Sequence, residues 1–223
     1  MLVITGAPAS GKTTVGRRLA RELGLAYLSK DLFKEVLFDE LGWQDRAWSK
    51  QVGGASMRLL YTCADELLWV GQSVALESNF YPRWDTEPLQ ALMQRHACRV
   101  VQVLCVAPGT VLAERYKQRA FSGERHPGHV DRTSMDEILP ILLGEPWPAL
   151  PLAAPLVRVD TTDFEAIDYS AVLRRCKQGS GIRGQGSGVR DQGRGEQGPP
   201  AGGQGSEARI SCRTVDEPLS PDP

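Results

Sequence analysis

Gly6-Ala7-Pro8-Ala9-Ser10-Gly11-Lys12-Thr13 matches G-x-x-x-x-G-K-[ST] at every fixed position. Its flanks decide what the match means. Before it, Leu2-Val3-Ile4-Thr5 is a short apolar run of β-type residues, the pattern of a buried parallel strand. After it, Val15, Leu19 and Leu23 stand four apart on one helical face, and Gly24 stands where a C-cap belongs. Strand, glycine turn and helix in that order build a phosphate cradle. Gly6 and Gly11 let successive backbone N–H groups converge on an anion, and the helix N-terminus adds partial positive charge. Lys12 is expected to reach the β- and γ-phosphates of ATP and the Thr13 hydroxyl to ligate Mg²⁺. The cradle as a whole comprises Gly6, Ala9, Ser10, Gly11, Lys12, Thr13 and Thr14.

The chain has 223 residues, enough for one domain with an appendage. Its 26 Lys+Arg against 27 Asp+Glu give no general attraction for nucleic acid or an acidic membrane. Cys63, Cys98, Cys105, Cys176 and Cys212 are odd in number and contain no C-x-x-C pair, so they read as reduced thiols. With no basic leader before the first strand and no membrane-length apolar run, a cytoplasmic protein is expected. A monomer or homodimer is expected.

Composition changes near Lys177. Residues 178–205 hold eleven of the chain's 23 glycines among Gln, Ser, Arg and Pro, without an aromatic residue. Such a segment buries too little apolar surface to offset its ordering entropy, so 178–223 reads as disordered and 1–177 as the folded domain. Within the domain, strands are expected at 25–29, 73–79, 99–106 and 156–159 besides the first. Helical patterns lie between them at about 31–41, 47–70, 86–97, 109–121, 134–143 and 163–176. In the longest, Val52, Leu59, Leu60, Cys63, Leu67 and Val70 form the expected buried stripe, and Tyr61 and Trp69 are expected in the core. Alternation of strand and helix implies an α/β fold, a parallel sheet covered on both faces with its ligand site beyond the carboxyl ends of the strands. Residues 122–133, with Gly123, Pro127 and Gly128, lack periodicity and read as a mobile lid.

Several side chains fall at that sheet edge. Asp31, just past the second strand, suits a general base or a holder of the Mg²⁺ water shell, with a helix N-cap as the alternative. Lys34, one turn on, suits a substrate anion or solvent. Glu77, at the end of the third strand, suits Mg²⁺ or substrate. Arg115 and Arg119 share a helical face, and Arg125 follows in the loop, where guanidinium groups can meet the charge that develops in phosphoryl transfer. His126-Pro127-Gly128-His129 has an H-x-x-H spacing, but no third metal ligand stands nearby and Pro-Gly is more simply a turn. Trp43 and Trp48 are candidates to line an acceptor pocket.

These residues together resemble the small P-loop kinases of the nucleoside-monophosphate-kinase-like group. The resemblance is strongest to the subgroup called AAA-type ATP-binding proteins, near chloramphenicol phosphotransferase, zeta toxin and polynucleotide 5'-kinase. It covers about 1–175 and rests on Gly6–Thr13, Ser29–Lys34, Leu76–Phe80, and the stretch from Glu114-Arg115 through Arg119 to Arg125-His126-Pro127-Gly128-His129-Val130-Asp131. It implies a P-loop NTPase three-layer sandwich whose five-stranded parallel sheet has the order 2-3-1-4-5. It also implies ATP and Mg²⁺ as cofactors, Asp31 as general base, and Arg115, Arg119 and Arg125 on adenine and phosphates. Polynucleotide kinases carry Arg where this chain has Lys34, and hexameric AAA+ motors carry an acidic pair where it has the single Glu77.

The reading that follows is an ATP-dependent phosphotransferase acting on a hydroxyl of a small molecule, with Lys12, Asp31, Arg119 and Arg125 as catalytic residues, Arg115 on the nucleotide, and Thr13 and Glu77 on the metal. A nucleotide-dependent regulatory ATPase is the alternative from another class. A nucleic-acid 5'-hydroxyl kinase is a third, disfavoured because 1–176 carry 20 basic against 21 acidic residues.

Overall fold

The computed structural model describes residues 1–180. The disorder expected for the tail lies outside the described residues from 181 onward. Its first three residues belong instead to a helix, where Gly179 rests on Val101 and Pro155.

The element order is β1 (Leu2–Gly6), α1 (Lys12–Leu23), β2 (Ala26–Ser29), α2 (Lys30–Leu41), α3 (Arg46–Trp69), β3 (Val74–Glu77), α4 (Pro82–Arg95), β4 (Val101–Val106), α5 (Gly109–Ser122), α6 (Met135–Leu143), β5 (Leu156–Asp160) and α7 (Tyr169–Ser180). All strand pairs are parallel and the order is β2-β3-β1-β4-β5. The expected α/β fold and strand order are therefore observed. Residues 122–133 differ from the loop expected there: two 3-10 turns, Pro127–His129 and Arg132–Ser134, follow α5.

Alternation along the central strand divides the core. Leu2 and Ile4 of β1 pack with Val15, Leu19, Tyr169, Val172 and Cys176 of α1 and α7, whereas Val3 packs on the other face with Leu60, Ala64, Leu89 and Leu92 of α3 and α4. β1 is buried on both faces, and the P-loop begins at its last residue.

The long helix α3 corrects the sequence reading. Its buried stripe is Ser49, Val52, Gly53, Ser56, Leu60 and Ala64, while Leu59 and Val70 are exposed. Val52 and Leu60 of the expected stripe are buried and Leu67 packs against the core, but small residues let α3 lie close to α2 and shift the covered face away from Leu59 and Val70. Trp69, expected in the core, is 76% exposed.

A buried glutamine ties the segment before β5 to the sheet. Gln102 Nε2 donates to Leu150 O and its Oε1 accepts from Leu150 N, both at 3.0 Å. Gln102→Leu leaves the buried Leu150 N–H unpaired, while Leu150 O keeps Leu152 N at 2.8 Å, and is expected to lower unfolding free energy by about 1–3 kcal/mol. Denaturant unfolding checks this; unchanged stability would mean that the segment holds without the amide.

Candidate active site

The P-loop folds as its sequence requires. Gly6 and Gly11 have φ of 150° and 76°, and a Cβ on Gly6 would stand 2.5 Å from Cys105 O. Ala9 also takes a positive φ of 62°, which its sequence did not announce. No side chain caps the N-terminus of α1, which leaves its first amides to a ligand. Lys12 is buried and donates to Ala7 O at 2.8 Å. Burial lowers its pKa, and the negative charges of Glu77 and Asp31 oppose that fall. The loop is braced from outside: Asn79 Nδ2 donates to Gly6 O at 2.8 Å, and Thr161 Oγ1 to Ser10 O at 2.9 Å.

Glu77 ends β3 in a nest of hydroxyls. Its Oε2 accepts from Ser29 Oγ at 2.7 Å, Tyr27 OH at 3.1 Å and Thr13 Oγ1 at 3.4 Å. Parallel register sets Ser29 beside Glu77, so β2 holds the carboxylate against the P-loop threonine. One hydroxyl and one carboxylate side by side fit Mg²⁺, which keeps several waters and takes further oxygens from nucleotide phosphates. Among the described residues, no group of three or more His, Cys, Asp and Glu forms a protein-only metal cage. That includes His126 and His129.

Asp31 lies in the first turn of α2, whose N-cap is Ser29, so the N-cap alternative does not hold. Its carboxylate accepts from Arg125 Nη2 at 2.8 Å and Lys30 Nζ at 3.3 Å. Burial alone would push Asp31 up, but the charges of Arg125 and Lys30 outweigh it and hold it well below the ordinary carboxylate range. Arg125 also faces Asp131 at 3.1 Å, and Arg119 meets the same Oδ2 at 3.4 Å. Arg115 turns away from this cluster to donate to Thr161 O and Thr162 O, at 2.8 and 3.0 Å, with its guanidinium 4.8 Å from the Phe164 ring centre. The arginines thus divide between two walls. Among the described residues, the buried side-chain polar atoms lacking a hydrogen bond are Ser10 Oγ, Arg115 Nη1, Arg119 Nε, Arg125 Nε and Asp131 Oδ2. Their concentration at this end of the sheet fits a polar, anionic ligand there.

The Arg125-His126-Pro127-Gly128-His129 stretch clasps α2. Asp31, Glu35 and Asp39 stand four apart on that helix and meet Arg125, His129 and His126 respectively. Phe38 lies between, stacked on His126 at 5.2 Å and edge-on to His129 at 5.6 Å. A Cβ on Gly128 would stand 2.6 Å from the Phe38 ring, so glycine is needed for this approach. Hydrogen bonds fix the tautomers. Arg125 Nη2 donates to His129 Nδ1 at 3.0 Å and Gly128 N to His126 Nδ1 at 3.0 Å, so each ring carries its proton on Nε2, toward Glu35 and Asp39.

These groups surround one cleft of about 1460 Å³, which runs from Gly11, Lys12 and Thr13 past Asp31 to Tyr61, Trp84 and Asp85. Tyr61, expected in the core, lines it and donates to Asp85 Oδ1 at 2.7 Å; Trp43 and Trp48 do not line it, and Trp84 does.

A family model described as an AAA domain (AAA_33) matches residues 1–140. The chain belongs to this AAA-domain family. It is 45% identical to a crystal structure described as a "putative kinase" from Chloroflexus aurantiacus J-10-fl, with a TM-score of 0.75, over 80% of this chain and 96% of that one. It is 30% identical over 145 residues to a Pyrococcus furiosus protein named "Putative adenylate kinase", covering 62% of this chain and 66% of that relative. Kti12 from Chaetomium thermophilum, solved with ADP-AlF3, shares the fold at a TM-score of 0.55 and 22% identity, over 79% of this chain and 95% of that one. The AAA-domain chain is therefore a small P-loop kinase-like protein. No described helix is long and apolar enough to cross a membrane.

The sequence reading assigned no individual role to Tyr27, Ser29, Asp131, Thr161 or the Glu35–Asp39 stripe. The even spacing of Asp31, Glu35 and Asp39 was a usable signal; the others had none beyond their place at strand or turn ends.

Burial, reinforced by Arg125 and Lys34 and opposed by Glu35 and Asp31, lowers the His129 pKa below 6.5. The unfolded chain therefore takes up this proton first as pH falls. The histidine's contribution is complete above pH 6.5 and is lost as pH drops from there toward the lowered value. Thermal melts of the parent protein should show stability rising with pH across this window, and His129→Gln should flatten the rise. An unchanged slope in His129→Gln would contradict the neutral, buried assignment.

Proposed function

We propose that the chain is an ATP- and Mg²⁺-dependent kinase that transfers the γ-phosphate to a hydroxyl of a small-molecule acceptor. The supporting observation is that Asp31 lines the same cleft as Lys12, Thr13, Glu77, Arg119 and Arg125. Nucleotide binding alone has no use for a carboxylate base there, whereas phosphoryl transfer to an alcohol does.

In this reading the P-loop amides and Lys12 hold the β- and γ-phosphates, and Arg115 sets the wall beside Phe164 for the nucleoside. Mg²⁺, held by Thr13 and Glu77, would offset phosphate charge. The acceptor oxygen attacks the γ-phosphorus, its proton passes to Asp31, the bond from the γ-phosphorus to the bridging oxygen breaks, and ADP leaves. Asp31 paired with Arg125 is a weak base. Transfer of Arg125 from Asp31 to the phosphoryl group would raise the basicity of Asp31 and deliver positive charge to the transition state in one movement. This assigns residues 122–133 as a lid that opens the pair.

Asp31→Asn keeps shape and removes basicity. ATP affinity should stay within a few-fold of the parent, while transfer of label from γ-labelled ATP falls roughly 10²–10⁴-fold. Lys12→Ala should impair both. Transfer at the parent rate by a folded Asp31→Asn would remove the base assignment. Slow hydrolysis that persists in this variant, without transfer to any alcohol, would favour the regulatory ATPase.

A further inference from the structure

The cleft extends beyond Asp31 along α2 and α3, and there it holds a cation without a counter-charge. Lys34 is 4% exposed, lines the cleft, and donates to the neutral Ser49 Oγ at 2.8 Å. Among the described residues, no carboxylate lies within ion-pair distance of its ammonium. The acids lining this cleft are engaged elsewhere. Asp31 is held by Arg125 and Lys30, and Glu137 by Arg46 and Lys50. Asp131 is held by Arg119 and Arg125, Asp85 by Tyr61 OH and Tyr81 N, and Glu77 by the three hydroxyls. A Cβ on Gly53 would stand 3.7 Å from both Lys30 Nζ and Lys34 Nζ, so the two ammonium groups converge on the space a side chain would fill.

Burying an ammonium on a hydroxyl and the face of the Phe38 ring, whose centre lies 5.2 Å away, next to a second ammonium, is unfavourable unless an anion completes the site. Resting on the kinase reading, we propose that Lys34, Lys30 and Ser49 form an anion subsite that grips a phosphate or carboxylate carried by the acceptor, which is therefore an anionic alcohol. The glycine at position 53 leaves room for the anion. Lys34 lies one turn along α2 from Asp31, so the anion would sit in the same cleft as the reacting hydroxyl. Burial and the neighbouring Lys30, opposed by Asp31, push the Lys34 pKa down to about 7.

The test uses the full chain with its P-loop saturated by Mg²⁺ and a non-hydrolysable ATP analogue, so that binding is read without any transfer. Inorganic phosphate and acetate are titrated by calorimetry into the parent and Lys34→Met. Methionine is close in volume and removes the buried charge, so the variant should melt at or above the parent temperature. Phosphate or acetate should bind the parent, and Lys34→Met should weaken the binding roughly 10–100-fold, the range of a charge-assisted hydrogen bond. The stronger of the two names the acceptor's group. Equal binding by parent and variant, or no binding of either anion to the parent, would overturn the subsite. Glycerol, glycerate and glycerol 3-phosphate are then offered with γ-labelled ATP. Lys34-dependent anion binding without transfer to any alcohol would count against the kinase reading and leave the subsite standing. Label moving equally to neutral and charged alcohols, with Lys34→Met unchanged, would preserve the kinase and remove the subsite.

Discussion

Arg125 joins the two halves of this molecule's chemistry. Its side chain is 20% exposed and lies between Asp31 on α2 and Asp131 in the turn that follows. A guanidinium so placed is tolerated only with both carboxylates, and it holds Asp31 ionised. The Asp31–Arg125 bond spans 94 residues of sequence. It fixes where the turn after α5 sits, and through His129, Phe38 and His126 it extends that fit along α2. The same bond lowers the basicity of the carboxylate beside the P-loop.

The two ends of the cleft use different physics. At the nucleotide end, recognition is built into the backbone: left-handed glycines, uncapped amides at the start of α1, and a lysine folded back on Ala7 O. That geometry depends on β1 being buried on both faces, and it suits the invariant part of a phosphate donor. The other end of the cleft, where the proposed reading puts the acceptor, is lined by side chains of α2, α3 and α4, set close together by the small residues of the α3 stripe. Substitutions there change charge and shape without disturbing the sheet, which is how one fold serves different acceptors.

The parts of the structure that were legible in the sequence are the local ones. The P-loop, the helix behind it and the Gly24 cap need only short-range rules, and the near-continuous apolar strands announce a parallel sheet. Glu77 and Asp31 were legible as candidates because strand ends in such a sheet gather at the ligand. Their partners were not. Nothing in Tyr27 or Ser29 as residues shows that both will bond Glu77 until parallel register sets them alongside it. The helix α3 was misread because hydrophobic counting favours Leu59 and Val70, while close helix packing selects Ser49, Gly53 and Ser56. The histidines of the 126–129 stretch illustrate the same limit: a Pro-Gly turn was legible there, but not that their rings serve as hydrogen-bonded spacers for a phenylalanine.

The claim on which this account turns is that Arg125 holds Asp31 in its ionised, weakly basic form. A titration of the Asp31 side-chain carbon signal by NMR, in the parent protein and in Arg125→Ala, measures it directly. The account predicts a parent value well below 3.8 and a clear upward move in Arg125→Ala, because the largest charge opposing the effect of burial is then gone. An Asp31 that titrates at the same pH in both proteins would contradict it.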